Sequence, residues 1–168
     1  MNNTKLIAQI EIKPFILYLS KILAGSLLIA VSAQISIPFY PVPMTLQPMA
    51  LMFLGLMTRP SVAAGAVSLY FLEAYVGLPV LSGFTGGPAH LLGTRGGFIL
   101  AFLPLSVITS YVSSLKDSIS YKILGCTLGN LVLYTSGIVW LSQLIGLDKA
   151  LQFGLLVILA GLNMRHSC

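Results

Sequence analysis

The chain has 168 residues, 57% of them hydrophobic and only 8% charged, where soluble domains carry roughly 25% charged residues; a soluble globular surface is excluded. With a mean hydropathy of +0.95 and about 20 residues per crossing, residues 1–168 suit a single domain of about five or six membrane helices. The net charge of +5 comes from nine basic residues scattered singly along the chain, so no patch tracks phosphates and the excess is explained by inward-facing loops.

Lys5, Glu11 and Lys13 precede the first apolar stretch in a charge order like that of a signal peptide. No small-residue cleavage site follows, so Phe15 to Ile37 is expected to be a retained first span. Along it Ser26, Ala30 and Ala33 place small residues on one face, spaced for close approach of another helix. Pro38, Pro41 and Pro43 come next, three prolines in the segment Pro38-Phe39-Tyr40-Pro41-Val42-Pro43. They remove backbone donors and favour an extended, fairly stiff loop. The second stretch, Leu46 to Thr58, reaches only about 20 Å against a hydrocarbon core of about 30 Å. It must tilt little, thin the bilayer or sit inside the bundle. At its start, Gln47 offers both donors and acceptors to a neutral polar group, and Thr45 suits either that role or an N-cap.

The third span, Ser61 to Val76, carries Glu73. An intramembrane carboxylate faces a cavity or the bundle interior, with Arg95 or a ligand as partner; alternatively this one reaches the interface from a helix end. The connection Gly77 to Gly97 holds seven glycines. Pairs at Gly86-Gly87 and Gly96-Gly97 allow positive φ and close approach to another surface. Irregular backbone near membrane depth is tolerated where it lines a cavity, so a ligand chamber is expected beneath this connection and the proline loop. The plain alternative is an extracellular turn rich in turn formers.

His90 has no second His or Cys at ligand spacing and is expected at the surface rather than on a metal. The remaining spans are Gly96 to Ser113 and Ile119 to Ile145, with a sixth beginning near Ala150. Cys126 and Cys168 lack zinc-like spacing, and neither a disulfide nor a metal site is expected. An inward N-terminus puts Lys5, Lys13, Arg59, Lys116 and Lys122 on the cytoplasmic side of a cell membrane, and leaves only Arg95 and Lys149 in outward connections. There is no phosphate-binding loop for ATP and no nucleophile–base–acid set, so neither an enzyme nor a cofactor site is expected.

Several segments then recur in a familiar order: Ala33-Gln34-Ile35-Ser36-Ile37-Pro38, Pro41-Val42-Pro43-Met44-Thr45-Leu46-Gln47, Gly77-Leu78-Pro79-Val80, Gly83-Phe84-Thr85-Gly86-Gly87 and Leu92-Gly93-Thr94-Arg95-Gly96-Gly97-Phe98. With Leu69 to Glu73 and Gly137 to Leu141, the chain resembles the BioY family, the biotin-specific binding subunits of energy-coupling factor (ECF) transporters. The resemblance implies an all-α polytopic S component that takes biotin beneath its outward loops. The resemblance further implies a T subunit and two ATPases on separate chains that energise it. Ser26 and Ala30 would correspond to the stretch that docks the T subunit. Thr45, Gln47, Gly86, Gly87, Gly96 and Gly97 would line or shape the pocket, with Pro38, Tyr40, Pro41 and Pro43 in a lid loop above it. Tyr40, Tyr70 and Phe84 are aromatics suited by their chemistry to cover the apolar ring and tail.

One segment departs from the family pattern. Where the family carries Gly-Asp-x-x-Lys on its last helix, this chain has Gly161-Leu162-Asn163-Met164-Arg165 and ends at Cys168. The expectation is five complete spans, a short or truncated sixth, and weak or absent biotin binding. Two other readings are a small polytopic enzyme or assembly factor, which needs ionisable groups converging in a cavity, and a channel-like bundle, which needs a continuous polar stripe.

Overall fold

A computed structural model of the chain describes residues 3–37 and 43–146. Pro38, Tyr40 and Pro41 of the proposed lid, the sixth span and the Gly161 to Cys168 segment lie outside the described residues. Helix α1 runs Asn3–Gln34, with Pro14 inside it. It begins ahead of the apolar stretch and stops short of Ile37, where β1 (Ser36–Ile37) pairs antiparallel with β2 (Met44–Thr45). This ribbon, with the Leu46 N–H donating to Ile35 O at 3.0 Å, fastens both ends of the proline segment.

Helix α2 (Gln47–Met57) has 11 residues and α3 (Pro60–Tyr75) has 16; both are shorter than the roughly 20 needed to cross unaided. Each starts on a proline in its first turn, where the missing N–H has no helical acceptor to satisfy. The short α4 (Pro88–Leu91) lies in the glycine-rich connection, followed by α5 (Gly96–Leu100), α6 (Phe102–Leu115) and α7 (Ile119–Ile145). Among the described residues three apolar runs are long enough to span a membrane, Pro14–Gln34, Gly96–Leu115 and Ile119–Leu144.

The fourth expected span, Gly96 to Ser113, is thus two helices meeting at Ala101. The cause is Pro104: it has no N–H to give to the carbonyl of Leu100, and its ring crowds that carbonyl.

Helix α1 packs on α3, while α6 sits between α7, α2 and α3. Lipid is as apolar as a leucine side chain, so these contacts rest on close packing and on polar side chains satisfied within the bundle. At the α1–α3 seam, a Cβ on Gly25 would stand 2.7 Å from the Ala66 Cβ; only glycine lets the two backbones come this close. On α6, Thr109 Oγ1 donates to Gly125 O of α7 at 3.3 Å and Ser110 Oγ donates to Thr58 O beside α2 at 2.5 Å. Ile29, Leu51, Leu54, Val67, Tyr70, Phe102, Leu105 and Leu133 fill the centre. Among the described residues the one ion pair is Lys122 with Asp117 at 2.8 Å, exposed on the α6–α7 turn.

Ser26 corrects the docking expectation. It is 0% exposed and Ala33 is buried with it, while Ala30 is partly covered. The small-residue face of α1 is therefore taken up by α3 within the chain, and Ser26 is not available to a partner subunit. Its hydroxyl donates to Glu73 Oε2 at 2.6 Å. That contact replaces the suggested pairing of Glu73 with Arg95 and fastens α1 to α3 across the seam.

Candidate functional site

Contacts between elements define one end of the bundle. Gln34, closing α1, reaches the glycine-rich connection at Leu81 and Phe84, and Trp140 of α7 donates to Gly93 O at 3.1 Å. Beneath this end lies a cavity lined by Pro43, Met44, Thr45, Gln47 and Pro48 on one side and Leu81, Ser82 and Arg95 on another. Phe98, Ile99, Phe102, Leu133 and Tyr134 supply its apolar wall. A cavity thus lies beside both connections where a chamber was expected, with β2 and the α2 start forming one wall.

Helix geometry explains the polar corner. Gln47 opens α2 directly after the β1–β2 ribbon, so its side chain projects into the bundle and is only 5% exposed. Thr45 Oγ1 donates to Gln47 Oε1 at 3.1 Å, Gln47 Nε2 donates to the Tyr70 hydroxyl at 2.7 Å, and Tyr70 donates to Val80 O at 3.3 Å. This chain of bonds holds the amide in one orientation. Thr45 is not a helix cap: the N-cap is Leu46, without a side-chain bond. The Thr45 hydroxyl is directed to the Gln47 amide instead.

Tyr70 is fully buried and does not line the cavity, which corrects its expected role as a ligand cover. It is a support behind Gln47. Replacing it by phenylalanine leaves the Gln47 amide N–H and the Val80 carbonyl without that partner, at a cost of about 1–3 kcal/mol per orphaned buried group. Thermal unfolding of Tyr70→Phe in detergent is expected to show that loss.

The cavity wall also carries charge. Arg95 is the only charged residue among the described residues that line the cavity. Its Nη1 donates to Ser82 Oγ at 2.8 Å and to Ser82 O at 3.3 Å. No carboxylate pairs with it among the described residues. In a low-dielectric setting such a guanidinium attracts an anionic group strongly, because little solvent screens it.

Several expected pocket residues act elsewhere. Phe84 is 73% exposed, outside the cavity wall, and holds an unusual φ of 54° on a tight turn. The Gly86 and Gly87 backbones close the connection against α3: a Cβ on Gly86 would meet Leu78 O at 2.2 Å, and Gly87 N–H donates to Ala74 O at 2.7 Å. Gly96 and Gly97 let α5 lie against Trp140, which a Cβ on Gly97 would meet at 2.2 Å. These glycines shape the chamber from behind and do not line it. Pro43 of the lid segment does line it. His90 is exposed as expected. No group of metal-ligating side chains occurs among the described residues.

Residues 6–164 match the profile of the BioY family. This chain belongs to the BioY family. Curated relatives include a protein of Pyrococcus horikoshii described as a probable biotin transporter BioY, 37% identical over 130 residues that cover 77% of this chain and 76% of the relative. A biotin transporter BioY2 of Lactococcus lactis subsp. cremoris is 32% identical over 159 residues, covering 92% and 80%. Among solved structures, the S-component for biotin from an ECF-type ABC transporter superposes with a TM-score of 0.74 at 26% identity, covering 95% of this chain and 86% of that one. The BioY-family chain is therefore a polytopic membrane protein of the S-component fold. Its family is one of transporter components, and not of enzymes.

Proposed function

We propose that this chain captures biotin in the cavity under its outward loops, as the membrane-embedded binding subunit of an ECF-type transporter. The carrying observation is the set of surfaces that line the cavity. The Thr45–Gln47 pair offers donors and acceptors, Phe98, Ile99, Phe102 and Leu133 form an apolar wall, and Arg95 supplies a cation. Biotin carries the matching set of groups: a neutral ureido ring, an apolar sulfur ring and alkyl tail, and a terminal carboxylate. Thr45 and Gln47 would meet the ureido group, Arg95 the carboxylate, and Pro43 with the rest of the proline loop would close above.

Delivery across the membrane requires energy that this chain does not supply, since it holds no ATP-binding loop. A T subunit and ATPase subunits on separate chains fill that role. The N-terminus lies in the cytoplasm: Arg59 follows α2, and Lys116 and Lys122 flank the α6–α7 turn, all at the end opposite the cavity, consistent with positive charge retained inside.

Radiolabelled biotin binding to the purified chain in lipid nanodiscs tests the reading. Saturable binding, weakened by the altered last segment, is expected, and Gln47→Leu is expected to weaken it further by roughly tenfold, the value of a buried hydrogen-bonding site left without its ligand partner. A companion chain with Asn163→Asp and Arg165→Lys measures the departure in the last segment, and tighter binding is expected from it. Binding by neither chain would sink the biotin reading.

A further inference from the structure

Gln34 ends α1 within a motif that the cavity itself does not use. Its amide makes two bonds to one short turn: Nε2 donates to Leu81 O at 3.1 Å, and Oε1 accepts from the Phe84 N–H at 3.1 Å. That turn is a tight hairpin, closed by the Leu81 N–H donating to Thr85 O at 3.0 Å. Gly83 and Phe84 at its tip both have positive φ, 75° and 54°. A bulky residue in this region is strained, so the turn holds its form only if outside contacts fix it. Gln34 supplies them from both sides of the tip.

The same turn holds Arg95. Ser82 O and Ser82 Oγ are the acceptors for Nη1, and Thr85 Oγ1 donates to Ser82 O at 3.1 Å. We propose that Gln34 is a positioning residue: by clamping the Leu81–Thr85 turn, it fixes Ser82 and through it sets the Arg95 guanidinium at the cavity wall for the anionic end of the ligand. The inference rests on the proposed capture of biotin, and deepens it by assigning which part of the ligand depends on α1. The end of α1 and the anion-selective corner then move as one unit, although Gln34 does not line the cavity.

Two measurements in nanodiscs test it. Hydrogen exchange without ligand reads the clamp: Gln34→Leu is expected to speed exchange of the Phe84 amide, and unchanged exchange would overturn the inference. Binding of biotin against its neutral carboxamide reads the positioning. Gln34→Leu is expected to weaken biotin roughly tenfold and the carboxamide less than about twofold, the signature of a misplaced charge-assisted contact. The double variant Gln34→Leu/Arg95→Met should bind biotin no worse than Arg95→Met alone. Equal losses for both ligands, or no loss for biotin, would overturn the role. Should Gln34→Leu fail to fold, Gln34→Asn, which keeps the amide but shortens its reach, carries the same expectations. Absence of biotin binding by the unaltered chain would overturn the proposed function and this role together, while the exchange result still reports on the clamp.

Discussion

Arg95→Met is expected to weaken biotin binding about tenfold to a hundredfold, measured by equilibrium binding in nanodiscs. The guanidinium is the one charged group on the described cavity wall, and a hydrogen bond to a charged partner contributes about 1.5–3 kcal/mol, which converts to that range of affinity. The loss should be confined to ligands with a carboxylate. Arg95→Lys is expected to recover only part of it. Nη1 already serves both acceptors of Ser82, and a planar fork can hold those bonds while presenting further N–H groups, whereas an ammonium is a compact point donor. If Arg95→Met bound biotin as tightly as the unaltered chain, the charged corner would not be the carboxylate site.

The second large effect is expected from a residue that touches no ligand. Gly97→Ala should destabilise the folded chain by about 1–3 kcal/mol, the usual range for overpacking, and Gly97→Val should do so by more. A Cβ there would lie 2.2 Å from the Trp140 Cβ and 2.9 Å from Ser136 O. Neither is the free end of a side chain, so α5 must move off α7. That movement would also strain the Trp140 bond to Gly93 O and carry Phe98 and Ile99 out of the cavity wall. Thermal unfolding of the purified variant measures the first effect and biotin binding the second; an unaltered melting curve would contradict the packing described here.

Much of the helical framework was legible because apolar length and proline position are local properties. The runs ending near Gln34, Met57, Tyr75 and Leu115 all stop where polar, proline or glycine-rich sequence begins. The break at Ala101 was also written in Pro104, yet a run of apolar residues conceals it. The site was less legible. Gln47 and Thr45 could be found because polar groups stand out at the head of an apolar helix.

The sequence offers Arg95 as an outward charge, as part of a family motif and as a partner for Glu73, but nothing in the linear order says that Ser26 reaches that carboxylate first. The paired glycines signal close approach and a role in lining or shaping the pocket, without saying to what they come close. For Gly97 the answer is Trp140, more than forty positions along the chain. Tyr70 and Phe84 illustrate the same limit: an aromatic suits a ligand by chemistry, but burial behind Gln47 and exposure on a turn are decided by tertiary packing. Ser26 marked a helix contact correctly and its partner wrongly, because α3 of the same chain claimed that face.

The brevity of α2 bears on biosynthesis. At 11 residues it is too short for the insertion machinery to release into lipid as an independent segment, and its main lateral neighbour is α6, which leaves the ribosome only after the whole glycine-rich connection has been made. Helices α1 and α3 can associate early, since their seam needs nothing later in the chain. Helix α2 gains its main packing partner only when α6 emerges. Completion of the binding end is thereby tied to synthesis of the second half of the protein.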